Sequence, residues 1–261
     1  FHMDHFGGLG ELARLLPIGK FYDPGRRTEL AEDKKAFPKL NEVYLEVTKG
    51  RSQALRPGDQ IPLKRAPGAA PLALRVLASN GDVIKGGGPP NPECQNAPLQ
   101  KDDPTDNARS TGFLLAFGRF RFLDLGDLTW NLEHQLACPS NLVGTVTLYQ
   151  VTHHGMNISN NRALLASVKP RVAIMNNGPR KAGHPDVVKW LRALPGLEDL
   201  WQVHRNMASS DQDNAAPEFI ANLGPEEGCD GHTIQVSVVP DGNSFTVTNT
   251  RTGQSRSYRT R

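Results

Sequence analysis

Apolar and polar positions repeat with two different periods along the chain, and the changes of period mark out its elements. In LGELARLLPI, Leu9, Leu12, Leu15 and Leu16 recur at helical spacing and Pro17 ends the run, which predicts an amphipathic helix over 7–16. A second helix is expected within 28–49. RPGDQIPL and PLALRVLAS read as short strands bounded by Pro/Gly turns, and TGFLLAFGRFRFLDLGD as two apolar runs about a Gly-containing turn, a hairpin. TVTLYQVT, RVAIMNN and DLWQVH are further strands, while RALLASV and PDVVKWLRAL are helices, the latter opened by Pro185. The stretch 232–259 alternates and turns at Asp241-Gly242-Asn243, predicting a C-terminal hairpin. Between Gly81 and Asn107 periodicity disappears into Gly, Pro, Asn and Asp, which predicts a long surface loop over 81–106.

Strands alternating with helices predict the α/β class, and a length of 261 residues with 38% hydrophobic content fits one domain spanning 1–261. The formal charge is only +3 and the basic residues are scattered, so charge does not call for a nucleic-acid partner. The terminal RTGQSRSYRTR reads as an exposed tail. No apolar run approaches the ~18 residues that a membrane-spanning helix requires. Three cysteines (Cys94, Cys138, Cys229) allow at most one bridge and leave an odd thiol.

Three short stretches carry metal chemistry. His2, Asp4 and His5 stand together ahead of Gly7-Gly8, offering two imidazoles and a carboxylate on a loop where glycine permits close backbone approach. In FLDLGDLTW, Asp127 follows an apolar strand and a Gly, where an isolated charge is costly unless paired or metal-bound. In VTHHG, a strand ends in His153-His154-Gly155. That donor set suits a borderline cation such as zinc.

The order DHxGG, strand-GD, strand-HHG resembles the metallo-β-lactamase fold superfamily. Within it, the chain looks most like the branch containing the hydrolase domain of the bacterial DNA-uptake competence protein. Asn107-Ala-Arg-Ser110 ahead of an apolar strand, and Gly183-His184-Pro185, match further motifs of that branch, so the resemblance runs from residue 1 to about 190. It implies a four-layer αββα sandwich. It also implies that Phe1–His5 is a His-x-His-x-Asp-His motif lacking its first His, so that the sequence is expected to be a fragment whose N-terminal strands are missing.

By the same resemblance, His2 serves one zinc, Asp4 and His5 serve a second, and Asp127 bridges them. One of His153 and His154 closes the site; His153 is favoured as a ligand because it shares the inward parity of Val151, leaving His154 beside it or facing substrate. Many superfamily members carry another His between the first motif and the bridging Asp, but residues 6–126 contain none. One or two ions are therefore expected, zinc or manganese, with Asn107 and Ser110 as weak replacements or substrate contacts. Bound zinc brings the pKa of water to roughly 7, and Asp4 is placed to orient the attacking water. His184, at a helix mouth, either contacts substrate and assists catalysis or caps a loop. Asn176 and Asn177 either donate to a substrate oxyanion or shape a turn.

The implied activity is metal-assisted hydrolysis, foremost of a phosphoester such as a phosphodiester. Hydrolysis of a β-lactam, lactone or ester is the alternative, and a non-catalytic binding module a third. Family resemblance suggests an exported bacterial protein, in which Cys94 pairs with Cys138 or with Cys229.

Overall fold

The computed structural model describes residues 1–260. Its centre is a mixed nine-stranded sheet, and the class is α/β. From one edge the strands run Ile220–Asn222, Asp199–His204, Val172–Met175, Leu148–Gln150, Phe120–Asp124, Gly112–Phe117, Leu72–Ser79 and Gln60–Ile61, with Asp82–Val83 pairing off Leu72–Ser79. The first five are parallel and the remainder antiparallel. Val172–Met175 is buried at every position, as a parallel strand covered on both faces must be.

Helices join the parallel strands. Arg162–Val168 is capped by Asn161, whose side chain accepts from the amides of Ala163 and Leu164, and it buries Leu164, Leu165 and Val168. Pro185–Arg192 buries Val187, Val188 and Leu191. Trp130–Ala137 is a helix that periodicity had not announced, and Ile220–Asn222 an unannounced strand. Trp201 is fully buried in the core, and Trp130 meets Trp190 edge-to-face at 5.9 Å.

Four expectations change. The stretch 232–259 is a three-stranded antiparallel sheet, Ile234–Val238, Ser244–Asn249 and Ser255–Arg259, because the chain turns a second time at Thr250–Gly253. Its last strand is no loose tail: Tyr258 is buried and its hydroxyl donates to Asp199 Oδ2 at 2.5 Å while accepting from Trp201 Nε1 at 3.2 Å. The loop 81–106 is fastened to the body rather than free. Asn91 donates to the carbonyls of Ala137 and Ala163, Trp130 Nε1 donates to Pro98 O at 2.9 Å, and Cys94 is bonded to Cys138, which settles that pairing and leaves Cys229 free. The first helix forms as Leu9–Leu15 with a shorter Met3–Phe6 before it, yet Leu12, Leu15 and Leu16 are exposed. Its spacing is amphipathic, but its apolar stripe does not face the core. The second expected helix spans Phe37–Thr48. Among the described residues no helix is long and apolar enough to cross a membrane.

Parallel order decides where chemistry can gather. Phe122 pairs with Leu148, Leu148 with Val172 and Gln150 with Ile174, so three adjacent strands end level with one another. The segments that follow them, 125–129, 151–155 and 176–184, emerge side by side at the carboxyl edge of the sheet, where sites collect in α/β folds.

Candidate metal centre

Each of those segments is bent to bring its polar side chain inward. Gly126 turns the chain with φ +57°, its amide donating to Asp124 Oδ1 at 2.9 Å. Asp127 follows, buried, and its amide donates to Ser110 Oγ at 3.2 Å. The strand Leu148–Gln150 ends before the histidines, and His153 and His154 are both left-handed, with φ of 54° and 55°. Two consecutive non-glycine residues there are strained by about 1–3 kcal/mol each.

Surrounding hydrogen bonds hold this conformation. His153 N donates to Gly126 O at 2.9 Å, Gly183 N to His154 O at 3.0 Å, and His184 N to Gly155 O at 2.9 Å. Asn160 Nδ2 donates to the carbonyls of Thr152 and Met156 at 2.9 and 3.0 Å. Gly155 is required where it stands: φ is +83°, and a Cβ would meet the Met175 side chain at 2.8 Å. The left-handed pair also undoes the parity argument for His153. Strand alternation stops at Gln150, and both imidazoles turn toward Asp127.

The short helix Met3–Phe6 lays Asp4 and His5 over the same point. His5 Nε2 lies 2.9 Å from Asp127 Oδ2, His153 Nε2 lies 3.7 Å from that oxygen, and His154 Nε2 lies 3.4 Å from Asp127 Oδ1 and 3.7 Å from Asp4 Oδ2. His5 Nε2 is 4.0 Å from Asp4 Oδ1. One donor atom each from Asp4, His5 and His154 falls within 4.8 Å of the others. Burial pushes the Asp127 carboxyl up, but the imidazoles of His154 and His5, with the charge of His153, outweigh it and hold that carboxyl far below the usual range. Burial lowers the His153 pKa, whereas the adjoining Asp127 carboxylate raises that of His154.

Hydrogen bonds on the far side of each ring orient it. His153 Nδ1 is 3.0 Å from Ser159 Oγ, and His154 Nδ1 is 3.2 Å from the backbone carbonyl of Asn176. A carbonyl only accepts, so His154 carries its proton on Nδ1, and in the neutral ring Nε2 presents a lone pair. That Nε2 is buried and has no hydrogen-bond partner, while two carboxylates stand opposite it. Acceptors facing acceptors repel unless a proton or a cation lies between them. Two ligands at 2.0–2.1 Å from a tetrahedral zinc sit about 3.3–3.4 Å apart, close to the spacing around His154. These residues therefore fit a divalent cation.

Other expected site residues lie elsewhere or have their atoms engaged. His2 Nε2 contacts Glu32 Oε1 at 3.0 Å, outside the cluster, because the helical turn after it carries Asp4 and His5 in another direction. His184 caps the helix Pro185–Arg192, its Nδ1 accepting from the Asp186 amide at 3.2 Å. Asn177 spends its side-chain amide on the carbonyls of Gly178 and His204, so it is not a free oxyanion donor. Asn107 and Ser110 line a cavity of about 230 Å³ together with His5 and Asp127. Lys181, which no motif singles out, places Nζ 2.5 Å from Asp4 Oδ2. It arrives on the loop after Met175 and sits beside Asp4 only because the sheet aligns these segments. No protein-family model matches the chain, and no curated protein matches it.

Proposed function

We propose that the protein is a metal-dependent hydrolase of phosphoesters, phosphodiesters foremost, built on a metallo-β-lactamase-like four-layer plan. The observation that carries this reading is the meeting of Asp4, His5, Asp127, His153 and His154 about one point, with the buried His154 Nε2 set 3.7 and 3.4 Å from oxygens of two carboxylates and in no hydrogen bond. Asp4, His5, Asp127, His153 and His154 would hold the cation, zinc or manganese. The bound ion would supply Lewis acidity and an acidified water.

The chain's own groups do the rest. Ser159 and the Asn176 carbonyl fix the two rings, so that donor atoms converge without reorganisation. Ser110 accepts from the Asp127 amide through Oγ and keeps its own hydroxyl proton to donate toward the cavity. Asp4, half-exposed at the rim, is the carboxylate available to orient water, and Lys181 beside it places a cation where an anionic substrate enters.

Bis-p-nitrophenyl phosphate, nitrocefin and a lactone, each offered to chelated protein and to protein reloaded with zinc or manganese, test the reading. Turnover of the phosphodiester that is lost on chelation and restored by metal is expected. It should fall at least a hundredfold in Asp127→Asn. Activity that survives exhaustive chelation, or turnover of nitrocefin alone, overturns it.

A further inference from the structure

The cavity beside the metal centre does not end there. Pro24 and Leu55 line both it and a larger cavity of about 640 Å³, so the two adjoin across those residues. The larger one is walled by three cations from three separate segments: Arg56 in the turn after Ala54, Arg75 on the strand Leu72–Ser79, and Lys85 just beyond Asp82–Val83. All three are exposed, and among the described residues none forms an ion pair. Asp82 is the one carboxylate on this wall. The nearby Asp59 turns its carboxylate to the backbone amide of Arg56 instead of to a guanidinium. Arg109, on the wall of the smaller cavity, is likewise exposed and outside any ion pair among the described residues.

Like charges gathered about a concavity repel, and they raise the local concentration of anions. Arginines elsewhere in this molecule do pair with carboxylates: Arg27 with Asp106, Arg171 with Glu198, Arg205 with Asp211 and Arg256 with Asp199. Arg56, Arg75 and Lys85 have no such carboxylate partner among the described residues, and what sets them apart is that all three wall one cavity, which adjoins the candidate centre.

We propose that this second cavity is an anion subsite that takes a phosphate group of the substrate remote from the bond cleaved. The inference rests on the hydrolase reading for its account of the nearer cavity. The substrate class is accordingly a phosphoester that carries at least one more phosphate. Arg56 and Arg75 bind it through guanidinium N–H groups and Lys85 through its ammonium. Ser79 lies at the buried end of the cavity.

The test uses p-nitrophenyl alkyl phosphodiesters whose alkyl chain, of graded length, ends either in a methyl group or in a phosphate monoester. They are given to the metal-loaded protein and to its Arg56→Ala/Arg75→Ala/Lys85→Ala variant. At one chain length the phosphate-terminated compound should show a KM about tenfold lower than its methyl analogue, the sum of three exposed ion pairs. The triple variant should lose that advantage with kcat unchanged, and raised salt should erode it. An equal KM for both compounds at every length, or an advantage that survives in the variant, overturns the subsite. Calorimetric binding of hexyl phosphate and 1,6-hexanediol bisphosphate separates this result from failure of the hydrolase reading. If no diester is turned over, a bisphosphate preference lost in the triple variant still supports the cavity, and no preference refutes it. Inorganic phosphate that binds there as tightly as the bisphosphate would mark a site for the free anion and overturn the assignment to substrate.

Discussion

Glu133 is wholly buried on the inward face of the helix Trp130–Ala137, behind the turn that carries His153 and His154. Its Oε2 accepts from the Asn161 amide at 2.7 Å, while Oε1 has no hydrogen-bond partner. Burial pushes its pKa up to about 7 from an ordinary 4.5, with the Asn161 amide working against that rise. The folded state therefore holds a proton that the unfolded chain releases near 4.5. That contribution to stability is fully present below about pH 4.5 and is lost as pH rises through 7. A gap of about 2.5 pH units, at about 1.36 kcal/mol per unit, amounts to about 3 kcal/mol. Glu133→Gln keeps an oxygen for the Asn161 amide and cannot ionise. Its stability relative to wild type should therefore rise by about 3 kcal/mol between pH 4.5 and 7.5. Urea unfolding of both proteins across that range, followed by tryptophan fluorescence, gives the difference directly, since every other titrating group is common to both. A difference that stays flat with pH would mean that Glu133 ionises as it does in water, and the burial argument would fail.

Two further outcomes probe the site and the fold separately. Ser159→Ala removes the group that holds the His153 ring, so zinc affinity measured against a chromophoric chelator should weaken about tenfold; unchanged affinity would show that the ring is held by packing alone. Tyr258→Phe leaves Asp199 Oδ2 and Trp201 Nε1 without their buried partner and should cost about 1–3 kcal/mol in urea unfolding, whereas a freely moving terminal segment would cost nothing.

Much of the fold is legible in the sequence wherever burial is one-sided or strictly periodic. RALLASV forms the helix Arg162–Val168, and the runs in TGFLLAFGRFRFLD form the hairpin Gly112–Phe117 and Phe120–Asp124. The helix Trp130–Ala137 escaped because its buried face includes Glu133, a residue that any polar–apolar pattern assigns to solvent. Ile220–Asn222, with only three residues, is too short to show a period. LGELARLLPI misled in the opposite sense: spacing reports which residues share a face, not what covers that face, and here Leu12, Leu15 and Leu16 meet solvent.

The candidate centre divides along the same physical line. Asp4-His5, Asp127 and His153-His154 were legible because each is a contiguous motif at the end of an element. Ser159 and Lys181 were not, since nothing local marks them, and Asn176 was marked for its side chain whereas its backbone carbonyl is what meets His154. Asn176 and Lys181 come near only because parallel strands end level. Their role is nonetheless specific. The two left-handed histidines are strained, and the bonds that hold them come from Gly126, Gly183, His184 and Asn160, each from a segment fixed by the sheet or its helices. Burying Glu133 behind that turn adds a second unfavourable term in the same few residues at neutral pH. Stability given up at one locus, and recovered across the rest of the core, is what the proposed metal centre would require of the residues that frame it.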